Sequence, residues 1–422
     1  LEHEIYDNYV AILKSELVPA LGCTEPIALA FAAAKAKEVL GYMPEKIKMY
    51  CSGNIIKNVK GVTVPNSGGL KGIDVAATLG VVGGRADKAL EVLQFITIKD
   101  IEKAKELIGQ GFCECELIDG SENLHIIAEV ICKDEMASVE VKDKHTYITK
   151  IIKNNQVVFE RNEPQVEESN GNKELLNVKD IIEFANTVPI ERISELLEQQ
   201  VELNTRIAKE GIENGYGTEV GRTIMEYYGT DVRTRARAMS AAGSDARMSG
   251  CALPVVINSG SGNQGITVSV PVIEYAKEMN ASKELLYRAL AIANLISIHQ
   301  KRYIGSLSAY CGATSAGCGA GCGIAYLNGG GYKEISETIT NTIANIGGMV
   351  CDGAKPSCAA KIASAVDAGI LGYFMSANNK VFAAGEGLVE EDVEKTIQNL
   401  GRMGREGMRS TDVEILNIMI GK

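Results

Sequence analysis

The stretch from Ser308 to Gly330, SAYCGATSAGCGAGCGIAYLNGG, consists almost entirely of small residues. Side chains of this size cannot fill the space between helices at ordinary separation. The pattern suits buried helices packed backbone against backbone. Glycine supplies 44 of 422 residues, Trp is absent and aromatics are 5%. The usual glycine share is roughly 7%, so small residues must carry much of the packing.

Hydrophobic residues at 45% and charged residues at 23% are ordinary for a globular chain, long enough here for two or three domains. A net charge of −11 argues against a nucleic-acid-coating surface, which wants basic residues. No polybasic stretch suggests an anionic membrane. No apolar run approaches the roughly 18 residues of a spanning helix. The opening segment carries Glu2, Glu4 and Asp7 in place of a signal pattern. These features point to a cytoplasmic protein with no nucleic-acid or membrane partner.

The expected fold class is α+β: a large Gly/Ala-rich helical domain with a smaller strand-containing module. Residues 1–93 read as an N-terminal α/β segment packing on the C-terminal domain. It has a helix over 4–18 stopped by Pro19, a turn at Gly22–Pro26, and an Ala-rich helix over 27–39 that Thr24 could cap. Short β-like pieces (KIKMYCS, GVTVP), a tight loop at Asn66–Gly69 and an interrupted helix over 73–92 follow. Residues 94–160 read as an α+β module: FITIKD as a strand, IEKAKELIGQG as a helix, then CECELI, LHIIAEVIC, ASVEV, TYITKIIK and QVVFE as strands. Residues 161–177 are polar and read as a linker. Residues 178–422 form the helical domain, with helices expected at 178–187, 190–213, 217–229, 231–248, 270–280, 282–301, 303–328, 332–346, 357–370 and 388–401.

Histidine is scarce, at positions 3, 125, 145 and 299. His125 and His145 lie in the strand module and are expected to face solvent. A Ser-His-Asp triad has only His299 to draw on, with no supporting motif. Phosphate-cradling motifs are absent. The stretch Asn258–Gly265 (NSGSGNQG) reads either as a loop needing positive φ or as a nest of N–H groups for an anion.

The eleven cysteines say more. Five crowd the Gly-rich tail: Cys311, Cys318, Cys322, Cys351 and Cys358. In CDGAKPSC (351–358), Gly353 and Pro356 favour a compact turn that brings two thiols toward one centre, with Lys355 offsetting their charge and Cys358 at a helix start. Soft thiolate ligands with scarce histidine point to iron–sulfur rather than catalytic zinc. The competing reading is a set of small buried residues. Cys23, before a helix N-terminus, is either a low-pKa thiol or a packed turn residue. Glu25 beside it would raise that pKa or share its proton.

Two motifs, ALGCTEP (20–26) and CDGAKPSC (351–358), resemble the L-cysteine desulfidase family, which is similar to the alpha chain of iron–sulfur L-serine dehydratases. The resemblance spans nearly the whole chain. It implies an oxygen-labile 4Fe–4S cluster, no pyridoxal phosphate, and β-elimination of L-cysteine to pyruvate, ammonia and sulfide. L-serine dehydration is the alternative, and a non-enzymatic iron–sulfur redox sensor is another. Carried over, Cys311, Cys351 and Cys358 look like the cluster ligands, with Cys318 a rival for Cys311. The dehydratases have a longer gap between their last two ligand cysteines. Their Ser–Ser–His–Thr–x–Gly–Pro segment has its counterpart in Gly22–Pro26, with Cys23 where the His would lie, a departure that argues for a changed substrate. Loops Asn66–Ser67–Gly68 and Asn258–Ser259–Gly260 resemble the family's substrate loops, and Thr24 joins them. Ser67 and Ser259 are candidates to anchor the substrate carboxylate. Cys23 is the candidate base, with Glu25 and Lys71 as alternatives. A homo-oligomer is expected.

Overall fold

Helical spacing at the start produces α1 (His3–Glu16), which stops ahead of Pro19, where the chain turns into strand β1 (Pro19–Leu21). The computed structural model describes residues 3–118, 124–161, 170–305 and 308–422. Helix α2 (Thr24–Leu40) follows, with extended Cys23 as its N-cap residue and Pro26 in its first turn. It ends at Gly41, whose φ of 100° only glycine adopts readily and whose N–H closes on the Lys37 carbonyl at 2.8 Å. Being Ala-rich, α2 is buried almost all round from Ile27 to Ala34.

Six strands form one sheet: β2 (Lys46–Ser52), β3 (Cys113–Ile118), β4 (His125–Cys132), β5 (Glu135–Lys142), β6 (Ile148–Lys153) and β7 (Gln156–Glu160). Their order is β3-β2-β4-β5-β6-β7, and only β2 with β3 is parallel. Helices α3 (Gly53–Val59), α4 (Ile73–Gly83) and α5 (Ile98–Gly109) complete this half. The inward residues Ile126, Ala128, Val130, Val139 and Val141 share a core with Ile47 and Met49 of β2 and with α2.

That core corrects the expected division at residue 93. Strand β2 comes from the N-terminal segment yet lies between β3 and β4, so segment and module are one sheet with one core. FITIKD is not a strand. Thr97 and Asp100 form a reciprocal capping box that starts α5. GVTVP contributes only an isolated bridge, Thr63 with Lys71. Of the expected linker, 162–169 lie outside the described residues.

The helical half contains α6 (Val178–Thr187), α7 (Ser194–Glu213), α8 (Val220–Tyr228), α9 (Val232–Met248), strand β8 (Pro254–Val256) and α10 (Gly262–Glu278). It continues with α11 (Lys283–Ile304), α12 (Gly312–Leu327), α13 (Tyr332–Ile346), α14 (Cys358–Ala377), α15 (Val393–Arg402) and α16 (Arg409–Ile420). Helix α10 begins eight residues before the expected 270 and runs through Pro271, while α12 begins only at Gly312, and α16 was not anticipated.

The glycine-rich run sorts its glycines by helix face. A Cβ at Gly317 or Gly321 would stand 2.4 Å from the carbonyl oxygen of Ala365 or Gly369 on α14, and one at Gly319 the same distance from that of Ala293 on α11. Helix α12 is thus clasped at backbone contact from two sides. Helix α14 is long and apolar enough, by length and composition, to cross a membrane. In this fold it packs on α9, α12 and α13, with Asp367 paired to Arg233.

Candidate active site

Strands β1 and β8 pair antiparallel, Pro19 with Val256 and Leu21 with Pro254. The chain leaves β1 into Gly22–Cys23 and leaves β8 into Asn258–Ser261, so one ribbon carries both segments. Thr24 Oγ1 lies 3.2 Å from the Gly260 carbonyl oxygen and 3.2 Å from Glu25 Oε2, and its one proton serves either. The Cys23 thiol donates to Glu25 Oε2 at 3.0 Å. His145 comes from the turn after β5 and brings Nε2 to 4.0 Å from Glu25 Oε1, an ion-pair distance longer than a hydrogen bond. Contrary to expectation, His145 does not face solvent: its side chain is 17% exposed and Nε2 is buried without a hydrogen-bond partner. His125 is also turned in, against Glu140 at 2.9 Å.

Burial opposes ionisation of Glu25, but His145 and the Cys23 thiol outweigh it and hold the carboxyl at about 2. Burial, then the Glu25 carboxylate, push the Cys23 thiol well above its ordinary range, and Arg247 opposes them. Of the sequence readings, the thiol raised by Glu25 prevails over the low-pKa thiolate, because burial and the carboxylate it donates to both oppose its ionisation.

The tail cysteines converge through a second pairing. Tyr310 bridges Val350, the Cys311 N–H donates to the Met349 carbonyl at 3.0 Å, and the Cys351 N–H to that of Ala309 at 2.6 Å. Cys311 is the N-cap of α12 and Cys358 the first residue of α14. The three thiols lie within electrostatic reach of one another. Burial, then Cys351, push Cys311 up to about 12, and Cys351 also raises Cys358. Cys318 is buried inside α12, where its thiol interacts with Cys322, Gln300 and Thr342. Gly353, at φ 96°, lets the turn lie on α3, where a Cβ would meet the Lys57 carbonyl oxygen at 2.3 Å. Lys355 and Lys361 both bind Asp352, and Lys361 Nζ reaches the Val350 carbonyl at 2.7 Å. Buried Lys301 also feels Cys351 and Cys311, and burial lowers its pKa to about 8.

Among the described residues, no three His, Cys, Asp or Glu side chains are gathered for a single metal ion. A four-iron cube is wider than one ion and holds its ligands further apart. Three thiols on converging backbone, flanked by lysines that balance thiolate charge, fit that larger group by donor chemistry. Cys23 and Cys358 meet in one apolar cluster with Val62, Met248 and Ala354, which joins the thiol turn to the Cys23 segment.

The remaining candidates divide. Ser67 is buried and donates to the Leu70 carbonyl at 3.0 Å, Asn66 donates to that of Leu93, and Gly68 lies against Ile101. This loop is occupied with its own closure. Lys71 is exposed. Asn258 is buried, donating to Asn294 Oδ1 at 2.9 Å and accepting from Ser259 and Ser297. Ser259 and Gly260 take positive φ of 50° and 77°, so the loop does need the conformation its glycines permit. His299 is closed off by Glu394 at 2.7 Å and Arg302 at 3.2 Å, leaving no triad.

Arg247 was missed by the sequence reading. It lies at the end of α9, 2% exposed, with Nη1 on Asn263 Oδ1 at 3.2 Å. An arginine in a helical stretch carries no sequence mark of being buried without a carboxylate.

The family model of the serine dehydratase alpha chain matches residues 87–417. A UPF0597 protein of Lachnoclostridium phytofermentans is 52% identical, covering 99% of this chain and all of its own length. A UPF0597 protein of Desulfitobacterium hafniense is 51% identical over 99% of this chain and 97% of its own. One of Finegoldia magna is 50% identical over 98% of this chain and all of its own. With sequence, fold and match in agreement over most of its length, the chain belongs to the serine dehydratase alpha-chain family, among its UPF0597 relatives.

Proposed function

We propose that the chain is an iron–sulfur-dependent, pyridoxal-phosphate-independent lyase that converts L-cysteine and water to pyruvate, ammonia and sulfide. The observation that carries this reading is the meeting of Cys23 and Cys358 in one cluster, which sets the Cys23–Glu25 pair beside the three-thiol turn. Membership of a dehydratase family supports elimination chemistry, and the thiol at position 23, where those enzymes carry histidine, favours a sulfur substrate.

Cys311, Cys351 and Cys358 would hold a 4Fe–4S cluster with one iron free of protein ligands, which supplies Lewis acidity toward the leaving group when bound. The chain's own residues handle the proton. Glu25 is ionised and orients the Cys23 thiol by accepting its hydrogen bond across 3.0 Å, and Cys23, once deprotonated, takes the Cα proton. The electrons of the C–H bond form the Cα–Cβ double bond as the Cβ–S bond breaks. The enamine tautomerises to an imine, and water releases pyruvate and ammonia. His145 stands behind Glu25, with Nε2 4.0 Å from Oε1, and helps hold the carboxyl low.

The test uses protein purified and assayed under strict anaerobiosis, with iron counted in the same sample. Pyruvate is measured from L-cysteine and L-serine side by side, with sulfide detection. Pyruvate with equimolar sulfide, mainly from cysteine, is expected. Pyruvate mainly from serine would make the chain a dehydratase. Iron without turnover of either would refute the lyase reading.

A further inference from the structure

Arg247 is a buried cation that makes no ion pair among the described residues. Its Nε is enclosed and has no hydrogen-bond partner, and among the described residues no carboxylate lies within ion-pair distance. A guanidinium has five N–H donors, and among the described residues Asn263 is the one side chain that receives from it. Asp245, two residues away in the chain, accepts the Gly221 N–H at 3.0 Å through Oδ2 and makes no ion pair with Arg247, and Glu25 is held by Cys23 and His145. An unpaired buried charge is costly, so the arrangement persists most economically where an anion completes it.

The surroundings specify that anion. The guanidinium lies against the start of the 17-residue helix α10, where a Cβ on Gly262 would fall 2.3 Å from Arg247 Nε. The positive end of the helix dipole and the guanidinium therefore coincide, with no acid between them. Two residues on, Gln264 Oε1 is a second buried polar atom without a partner, and its carboxamide packs on Gly312, next to Cys311. Arg247 also acts electrostatically on Cys23. The serines first considered for anchoring already spend their hydroxyl protons on Leu70 and Asn258.

We infer that Arg247 is the carboxylate anchor for an α-amino acid, with Gln264 Oε1 accepting from its ammonium group. The inference rests on the lyase reading for its substrate class. A carboxylate on Arg247 leaves Cα one bond away, within the electrostatic reach of Arg247 that also takes in Cys23.

The test uses anaerobically purified, iron-loaded protein and two probes: L-alanine, which has no β leaving group, and L-alaninamide, which lacks the carboxylate. Wild type should be stabilised by L-alanine and inhibited by it, and L-alaninamide should do neither at the same concentration. In Arg247→Met the L-alanine shift should vanish and KM for L-cysteine should rise about 10–100-fold, as expected for a lost charged hydrogen bond. Its ligand-free melting temperature should not fall, because an unpaired buried charge has been removed. Arg247→Lys should bind L-alanine about tenfold more weakly. A merely structural arginine gives the opposite: a lowered melting temperature and unchanged discrimination between the probes. Equal affinity of wild type for both probes, or wild-type binding of L-alanine by Arg247→Met or Arg247→Lys, overturns the inference. Arg247-dependent L-alanine binding without turnover of cysteine or serine would refute the lyase reading and leave the anchor standing.

Discussion

A methyl group at Gly369 should force apart the two helices that carry the thiol ends. The Cβ of Gly369→Ala would lie 2.1 Å from the Gly317 carbonyl oxygen, an atom locked in α12 that cannot rotate away. The nearest tolerable contact is close to 3 Å, so the helices must separate by about 1 Å, enough to forfeit a quarter to a half of the dispersion energy along the seam. Overpacking of this severity costs about 3 kcal/mol, offset by about 1 kcal/mol because alanine is the better helix former. The net loss is about 2 kcal/mol. Because α12 starts beside Cys311 and α14 starts at Cys358, the same displacement should reduce iron bound per chain. The assay is denaturant unfolding and iron content of anaerobically purified protein. The control is Gly109→Ala, at a helix position where a Cβ meets nothing within 4 Å, and it should be neutral or slightly stabilising. Wild-type stability and iron in Gly369→Ala would refute the reasoning that backbone contact sets the geometry of the thiol turn.

Four further outcomes are expected. Cys351→Ala should lose iron and all lyase activity, and retained activity with normal iron would remove Cys351 as a ligand. Cys23→Ala should keep its iron and turn over at least tenfold more slowly, a normal kcat being the contrary result. Lys71→Ala should change kcat less than about twofold, since the side chain is exposed; a large loss would return Lys71 to the mechanism. The Glu25 carboxyl is held at about 2 against 4.5 unperturbed. The unfolded chain therefore binds the extra proton first as pH falls. The stabilisation, on the order of 3 kcal/mol, is complete above about pH 4.5 and is lost as pH falls toward 2. Unfolding measured across that window should show a shallower acid slope for Glu25→Gln than for wild type, and equal slopes would contradict the assignment.

Much of the fold was legible where a single element carried its own signal. The alternation in LHIIAEVIC and ASVEV gave β4 and β5, and Pro19 marked a helix end. Boundaries went wrong where a side chain decided them. Thr97 and Asp100 turned an apparent strand into a helix start, and Ser261 capped α10 well ahead of Pro271. At the site, CDGAKPSC and GCTEP could be singled out because glycine, proline and cysteine carry local meaning. His145 and Arg247 could not, because their roles depend on what lies across the fold.

The sequence by itself determined that helices would meet at backbone contact, since a run such as GATSAGCGAGCG leaves no other way to exclude water. It also determined which thiols were available, since cysteine is identifiable wherever it falls. Only the tertiary structure decided which of them converge, placing Cys311 rather than Cys318 beside Cys351 through the Tyr310–Val350 bridge. It alone made β2 part of the strand module's sheet, and it alone surrounded Arg247 and Glu25 so that one has no counter-ion among the described residues and the other is held ionised. The physical reason is common to these cases. Helix contact and chemical identity are properties of local sequence, whereas convergence, burial and charge pairing depend on groups brought together from distant parts of the chain.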